Sequence, residues 1–191
     1  MKETLKLTFI LTIICLIAGA LLAGVDILTR EPITQVKQKL HQKSLDEVLP
    51  PHDNSPVSDS VNVTHGGQDW TFYIARNQGQ FAGAAVETVS PDGYSGEVRL
   101  MFGIGADGKS IGISILAQKE TPGLGANIDT PGFKNRFVGL DLQKTNWKVK
   151  KDGGDIDHIT AATISSRAVV DAISNALEAF NAHRQTIENG K

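Results

Sequence analysis

At 191 residues with a formal net charge of −2, the chain allows one good-sized domain plus an appendage, and it carries no large basic field to attract nucleic acid. Its single cysteine, Cys15, excludes an internal disulfide, a cysteine-ligated iron–sulfur cluster and a cysteine zinc site; the c-type haem attachment pattern is absent as well. Any electron chemistry would therefore need an organic cofactor.

Residues 7–25 read LTFILTIICLIAGALLAGV, without a charge. As a helix this run spans about 28 Å, close to the hydrocarbon thickness of a bilayer. It predicts one transmembrane helix within residues 1–29, bounded by Lys6 and Asp26. The hydroxyls of Thr8 and Thr12 can bond back to helix carbonyls, so they do not oppose burial in lipid. Ala18-Gly19-Ala20 also looks like a signal-peptide cleavage site, but the apolar run is long and continues past it, which favours an uncleaved anchor. Lys2 and Lys6 precede the span; Arg30, Lys37, Lys39 and Lys43 follow it. Long domains translocate largely regardless of such charges, so the count leaves orientation open.

Residues 30–66 predict a juxtamembrane helix and a linker. Ile33, Val36, Leu40 and Val48 are spaced for one helix face, and Pro32 suits a first helical position. Residues 50–64, rich in Pro, Ser, Asp and Asn, read as a linker or mobile loop, with a compact domain over residues 67–191. Within it, 69–75 and 80–89 predict paired strands turning at 77–79. A second pair, 97–104 and 110–117, is joined through Asp107-Gly108. Residues 103–108 match G-x-G-x-x-G, but a strand rather than a helix follows, so the reading is a hairpin turn and not a dinucleotide site. Residues 131–140 predict a short helix with Phe133 and Phe137 on one face, and 147–149 a short strand. The stripe Val169, Ile173, Ala176, Leu177 and Phe180 predicts an amphipathic helix over 164–187. The fold class is α+β. Its five histidines form no metal-like spacing, and no Ser–His–Asp constellation can be argued; neither a metal ligand nor a catalytic residue is assigned.

Two loops carry chemistry. In residues 120–125, Glu-Thr-Pro-Gly-Leu-Gly, glycines let a backbone approach a planar ligand and Leu124 can pack on an aromatic ring; an ordinary surface turn is the competing reading. Just before the last helix, Thr160, Thr163, Ser165 and Ser166 surround Ala161 and Ala162. Hydroxyls at a helix mouth suit a phosphate, which the unpaired N–H groups and the helix dipole attract, but by residue type alone a plain N-cap is the better reading.

DGYSG (92–96), KETPGLGANI (119–128), WKVKKDGGDID (147–157) and ITAATISSRAVVDAI (159–173) follow one another behind the anchor. Taken together they resemble the G subunit of the Rnf (Rsx) electron-transport complex, with its covalently flavinylated FMN-binding domain, over nearly the whole chain. The resemblance implies FMN joined by a phosphoester to the threonine of D-x-x-[ST]-[GA]-A-T. Thr163 falls on the acceptor, with residues 157–160 upstream. Many members have Gly where Ala161 stands, and Ala adopts positive φ less freely. Thr160, Ala162, Ser165 and Ser166 are then expected around the phosphoryl group, and Glu120, Thr121, Gly123, Leu124 and Gly125 along the ring. Further implications are an ApbE-type flavin transferase using FAD and Mg²⁺, other membrane subunits as partners, and electron relay in a complex linking ferredoxin and NAD⁺. The chain would not be catalytic alone. A single-pass place in the bacterial inner membrane is implied, with the flavin domain on the periplasmic side. The C subunit of the Na⁺-translocating NADH:quinone oxidoreductase shares this design. That flavin carrier, another membrane flavin module and an anchored ligand-binding module are the alternatives.

Overall fold

The computed structural model describes residues 1–190. In chain order it contains α1 (Lys2–Val48), β1 (Ser60–His65), β2 (Gln68–Asn77), β3 (Gln80–Ser90), β4 (Val98–Gly105), β5 (Ser110–Ala117), α2 (Pro131–Lys134) and α3 (Thr163–Asn189). The chain divides into two units, residues 1–41 and the remainder from Gln42.

The first unit is the body of α1. Its apolar side chains, among them Phe9, Leu16 and Leu22, are exposed, and the helix is long and apolar enough to cross a membrane. Thr8 and Thr12 donate to the carbonyls of Thr4 and Thr8, each at 2.9 Å, so their hydroxyls are satisfied within the helix. Pro32 lies inside the helix and not at a first helical position, which corrects the expectation. Proline removes one intrahelical N–H bond and crowds the preceding turn, and across it the Thr34 hydroxyl donates to the Arg30 carbonyl at 2.9 Å.

The second unit is built on one antiparallel sheet in the order β1-β2-β3-β4-β5. The β2–β3 turn has Gln78 at φ 52° and Gly79 at φ 76°, the left-handed pair that matches strand twist. Strand β1 occupies residues expected to be linker. Val61 and Val63 alternate with Ser60, Asn62 and Thr64, and the two valines enter the core. Only pairing with β2 rewards so short an alternation, and flanking turn-formers mask it in the sequence. The expected strand at 147–149 is reduced to one bridge, Val149 to Ile156, and a 3-10 turn over Lys150–Asp152. Residues 131–140 form α2 followed by a 3-10 turn over Asn135–Phe137, with Phe133 and Phe137 buried and their ring centroids 5.2 Å apart.

The two faces of the sheet are covered differently. Trp70, Phe72, Ile74, Val86, Leu100, Phe102 and Ile104 face α3, whose stripe Val169, Ile173, Ala176, Leu177 and Phe180 is buried against them. Each such large side chain contributes about 1.5–3 kcal/mol by leaving water. Thr88 fixes the register by donating to the Ala172 carbonyl at 3.0 Å. On the other face Leu45, Val48 and Leu49 cover Ala75, Ala85 and Met101. Gly103 makes that contact: a Cβ there would lie 1.9 Å from the Val48 carbonyl oxygen. The G-x-G-x-x-G stretch therefore ends a strand and turns a hairpin. The Gly105 N–H donates to the Lys109 carbonyl at 2.8 Å, and Gly108 takes φ 76°.

Candidate functional site

Three segments distant in sequence meet at one end of the sheet. The turn after β3 brings Tyr94, the loop after β5 brings residues 120–125, and the chain entering α3 brings residues 161–165. Between them is a pocket of about 470 Å³ lined by Tyr94, Glu120, Thr121, Leu124, Gly125, Ala161, Ala162, Thr163, Ile164 and Ser165. Small-molecule sites commonly fall between about 300 and 1,000 Å³. Tyr94, Leu124 and Ile164 form an exposed apolar rim.

The first turn of α3 is unusual in its cap. Ala162 is the N-cap and has no side-chain hydrogen bond, so none of the four nearby hydroxyls serves as an ordinary cap. Ala161, just before it, is held at φ 63°, a left-handed conformation uncommon for alanine. The Ala162 N–H is taken by the Ile159 carbonyl and the Ser166 N–H by the Ala162 carbonyl. The N–H groups of residues 163–165 lie between them and have no intrahelical acceptor, as in any first helical turn.

The four hydroxyls have separate fates. Ser166 is buried, accepts from the Ile159 N–H at 2.9 Å and donates to the Ala162 carbonyl at 3.0 Å. It pins the chain before the helix and does not line the pocket. Ser165 lines the pocket, but its proton goes to Glu120 Oε2 at 2.7 Å. Both serines thus use their protons on protein acceptors, whereas the resemblance implies a place for them around the phosphoryl group. Thr160 is exposed and outside the pocket. Thr163 is half-buried, lines the pocket, and its hydroxyl has no hydrogen-bond partner among the described residues.

Of the residues expected in the second loop, Glu120, Thr121, Leu124 and Gly125 line the pocket; Gly123 does not. Gly123 shapes the loop instead, at φ 77°, with its carbonyl accepting from Asn127 Nδ2 at 3.1 Å. The Thr121 carbonyl accepts the N–H groups of Leu124 and Ala126, both at 3.1 Å, closing the loop on itself. Sequence reasoning missed Tyr94, Ala161 and Ile164 as lining residues. The signal for Tyr94 was an aromatic inside a Gly93…Gly96 turn; nothing in the sequence brings that turn to α3.

Charged pairs hold the approach to α3. Asp157 pairs with Lys150 at 2.9 Å, and its carbonyl accepts from Arg136 Nη1 at 2.6 Å. The Lys150 hydrogen bond holds the Asp157 carboxyl below the usual range. Arg167 grips Asp152 with two bonds of 2.5 and 2.7 Å, holding that carboxyl low and raising its own guanidinium. All of these groups are on the surface and solvent-screened. No group of three or more His, Cys, Asp or Glu side chains is arranged to hold a metal among the described residues.

An FMN-binding domain model matches residues 93–178, which contain all the pocket-lining positions, and an RnfG N-terminal region model matches residues 1–48. The G subunit of the ion-translocating oxidoreductase complex of Vibrio cholerae is 39% identical over 94% of this chain and 91% of its own length. The protein of the same description from Pseudomonas aeruginosa is 34% identical over 97% and 92%. Among solved structures, the C subunit of Na⁺-translocating NADH-quinone reductase from Parabacteroides distasonis superposes with a TM-score of 0.52 at 20% identity, covering 76% of this chain and 81% of that one. Shewanella oneidensis NqrC gives 0.53 at 16% identity, covering 76% and 74%. These two likenesses concern the fold.

Proposed function

The chain belongs to the RnfG family, the G subunits of ion-translocating oxidoreductase complexes, and from that premise we propose that it is the membrane-anchored flavin subunit of an Rnf-type complex, carrying FMN as a phosphoester on Thr163. One observation carries the reading. Of four hydroxyls clustered at the mouth of α3, only that of Thr163 both lines the pocket and lacks a hydrogen-bond partner among the described residues.

The residues present fit such a group. The free N–H groups of residues 163–165 and the positive end of α3 suit a phosphodiester, by about 0.3–1 kcal/mol or somewhat more when partly buried. Tyr94, Leu124 and Ile164 offer aromatic and apolar surface to a planar ring. When bound, FMN supplies the reversible electron transfer that no side chain here offers. Thr163 contributes the anchoring oxygen, and covalent attachment keeps the group from being lost outside the cytoplasm. Attachment by an ApbE-type flavin transferase, with FAD and Mg²⁺, joins Thr163 Oγ1 to the FMN phosphorus. The phosphoanhydride of FAD breaks, AMP leaves with the electron pair, and the threonine proton is released.

In this reading residues 1–29 hold the cytoplasmic N-terminus and the transmembrane helix, in the bacterial inner membrane. Residues 30–41 lead outward, and the unit from Gln42, with the end of α1 and β1 in it, forms the flavin domain on the periplasmic side. The chain passes electrons between other membrane subunits of a complex linking ferredoxin and NAD⁺, and does not turn over substrate alone. A flavin carrier like the C subunit of the Na⁺-translocating NADH:quinone oxidoreductase is the second reading, supported by the fold. The match of the RnfG N-terminal region to residues 1–48 favours the Rnf-type reading.

The test is flavin fluorescence of the denatured full-length chain on a gel, after expression with an active flavin transferase. Wild type and Thr160→Ala give a fluorescent band; Thr163→Ala gives none. A band of full intensity from Thr163→Ala overturns the acceptor assignment, and a dark wild-type band overturns covalent attachment.

A further inference from the structure

Glu120 is a carboxylate only 5% exposed, yet it borders the pocket. Its two oxygens serve two different walls. Oε1 accepts the Ser95 N–H at 3.2 Å, from a residue 25 positions away, and Oε2 accepts the Ser165 hydroxyl at 2.7 Å, 45 positions away. Its own N–H donates to Gln118 Oε1 at 2.6 Å, which orients the backbone from which it projects. Two glycines leave room for the carboxylate. A Cβ on Gly93 would lie 2.7 Å from Oε1, and one on Gly125 would lie 2.5 Å from Oε2 and 2.5 Å from Ser165 Oγ.

The 120–125 loop is closed by its own hydrogen bonds and the helix mouth is pinned by Ser166, and the carboxylate joins these walls to each other and to the 93–96 turn. The turn at 93–96 and the loop at 120–125 are rich in glycine, and the helix mouth rests on a left-handed alanine. A buried acceptor must be satisfied, so the carboxylate draws both donors to itself. We propose that Glu120 is a positioning residue that clasps the three walls of this pocket and so fixes how a planar flavin ring lies against Tyr94, Leu124 and Ile164. The proposal rests on the FMN reading given above. Ser165 is the second half of the clasp, its hydroxyl proton committed to Glu120 Oε2.

The experiment uses the full-length, flavin-loaded chain in detergent. For each of wild type, Glu120→Ala, Glu120→Gln and Gly125→Ala it records the visible circular dichroism per covalently bound flavin, amide exchange at Ser95 and the melting temperature. Gly125→Ala leaves the carboxylate chemically intact and displaces it, so it separates position from charge. Glu120→Ala and Gly125→Ala are expected to lose most of the induced flavin dichroism and to speed Ser95 exchange about tenfold, the weight of one hydrogen bond to a charged acceptor. Glu120→Gln retains an oxygen for the Ser95 N–H and recovers most of the signal, and it carries the test with Gly125→Ala if Glu120→Ala does not fold. Wild-type dichroism per flavin in Gly125→Ala, or a lowered melting temperature with unchanged dichroism in Glu120→Ala, overturns the clasp. Both results presuppose a fluorescent wild-type band. Its absence overturns covalent attachment instead, so the two failures are distinguishable.

Discussion

One glycine-bearing stretch ends a strand and another follows one, and they do opposite work. At 103–108 the spacing imitates a dinucleotide fingerprint, yet Gly103 admits the Val48 carbonyl and Gly108 turns a hairpin. At 120–125 the spacing matches no general nucleotide motif, yet Gly125 admits a buried carboxylate that borders a pocket. A glycine's meaning lies in what approaches it. In the first case that is backbone belonging to the core; in the second it is the end of a functional side chain.

The contrast predicts how each region responds to an added methyl. Gly103→Ala forces the end of α1 off the sheet, because backbone cannot move aside cheaply. It should cost about 2–3 kcal/mol, read as a melting temperature lower by roughly 6–10 °C, with the flavin spectrum unchanged in the protein that remains folded. Gly125→Ala meets side-chain atoms and no backbone (the Glu120 carboxylate and Ser165 hydroxyl at 2.5 Å and the Glu120 Cβ at 2.9 Å), so it should cost less, about 1–2 kcal/mol, while altering the flavin spectrum. If both variants behave alike in both measurements, the division between packing glycine and site glycine is lost.

Ala161→Gly sharpens the comparison from the other side. Here the chain carries a methyl where φ is 63°. Replacing it should stabilise the domain by about 1 kcal/mol, after allowing for the more flexible unfolded chain, and raise the melting temperature by roughly 2–4 °C. A lower melting temperature would mean that the methyl contacts outweigh the strain.

The smallest expected effects are electrostatic. Asp152 and Asp157 have carboxyls held low by Arg167 and Lys150. Their contribution is present above the unfolded carboxylate range and is lost as pH falls through the lowered folded values, so melts should weaken progressively in acid and less so at high salt. Asp171 has the opposite sign. Burial, then Asp92 and Asp152, raise its carboxyl, so its charge costs stability at neutral pH and the cost fades as pH drops through the raised value. Asp171→Asn should therefore stabilise at pH 7 by less than about 1 kcal/mol, with the gain vanishing in acid.

Periodicity was legible wherever an element buries one face by itself. The stripe of α3, the hairpin through Asp107-Gly108 and the apolar or alternating runs of β2 to β5 all follow from residue type and spacing. Strand β1 was not legible, because two valines among turn-forming residues become a strand only when β2 supplies the partner. The site divides likewise. Thr163, Leu124 and Glu120 stand in stretches whose composition singles them out, while Tyr94 and Ile164 become lining residues only through chain reversal.

Sequence alone determined the apolar span, the exclusion of cysteine-bound metal chemistry, the α+β class and a short list of hydroxyls at a helix mouth. Those depend on local spacing and on which side chains exist. Tertiary structure decided which hydroxyl is free among the described residues. Ser166 is consumed in pinning the chain, Ser165 is bound to Glu120, Thr160 is turned out to solvent, and Thr163 remains facing the pocket. A hydrogen bond between residues 45 positions apart has no local signature, because its donor and acceptor are brought together only when the sheet and α3 pack.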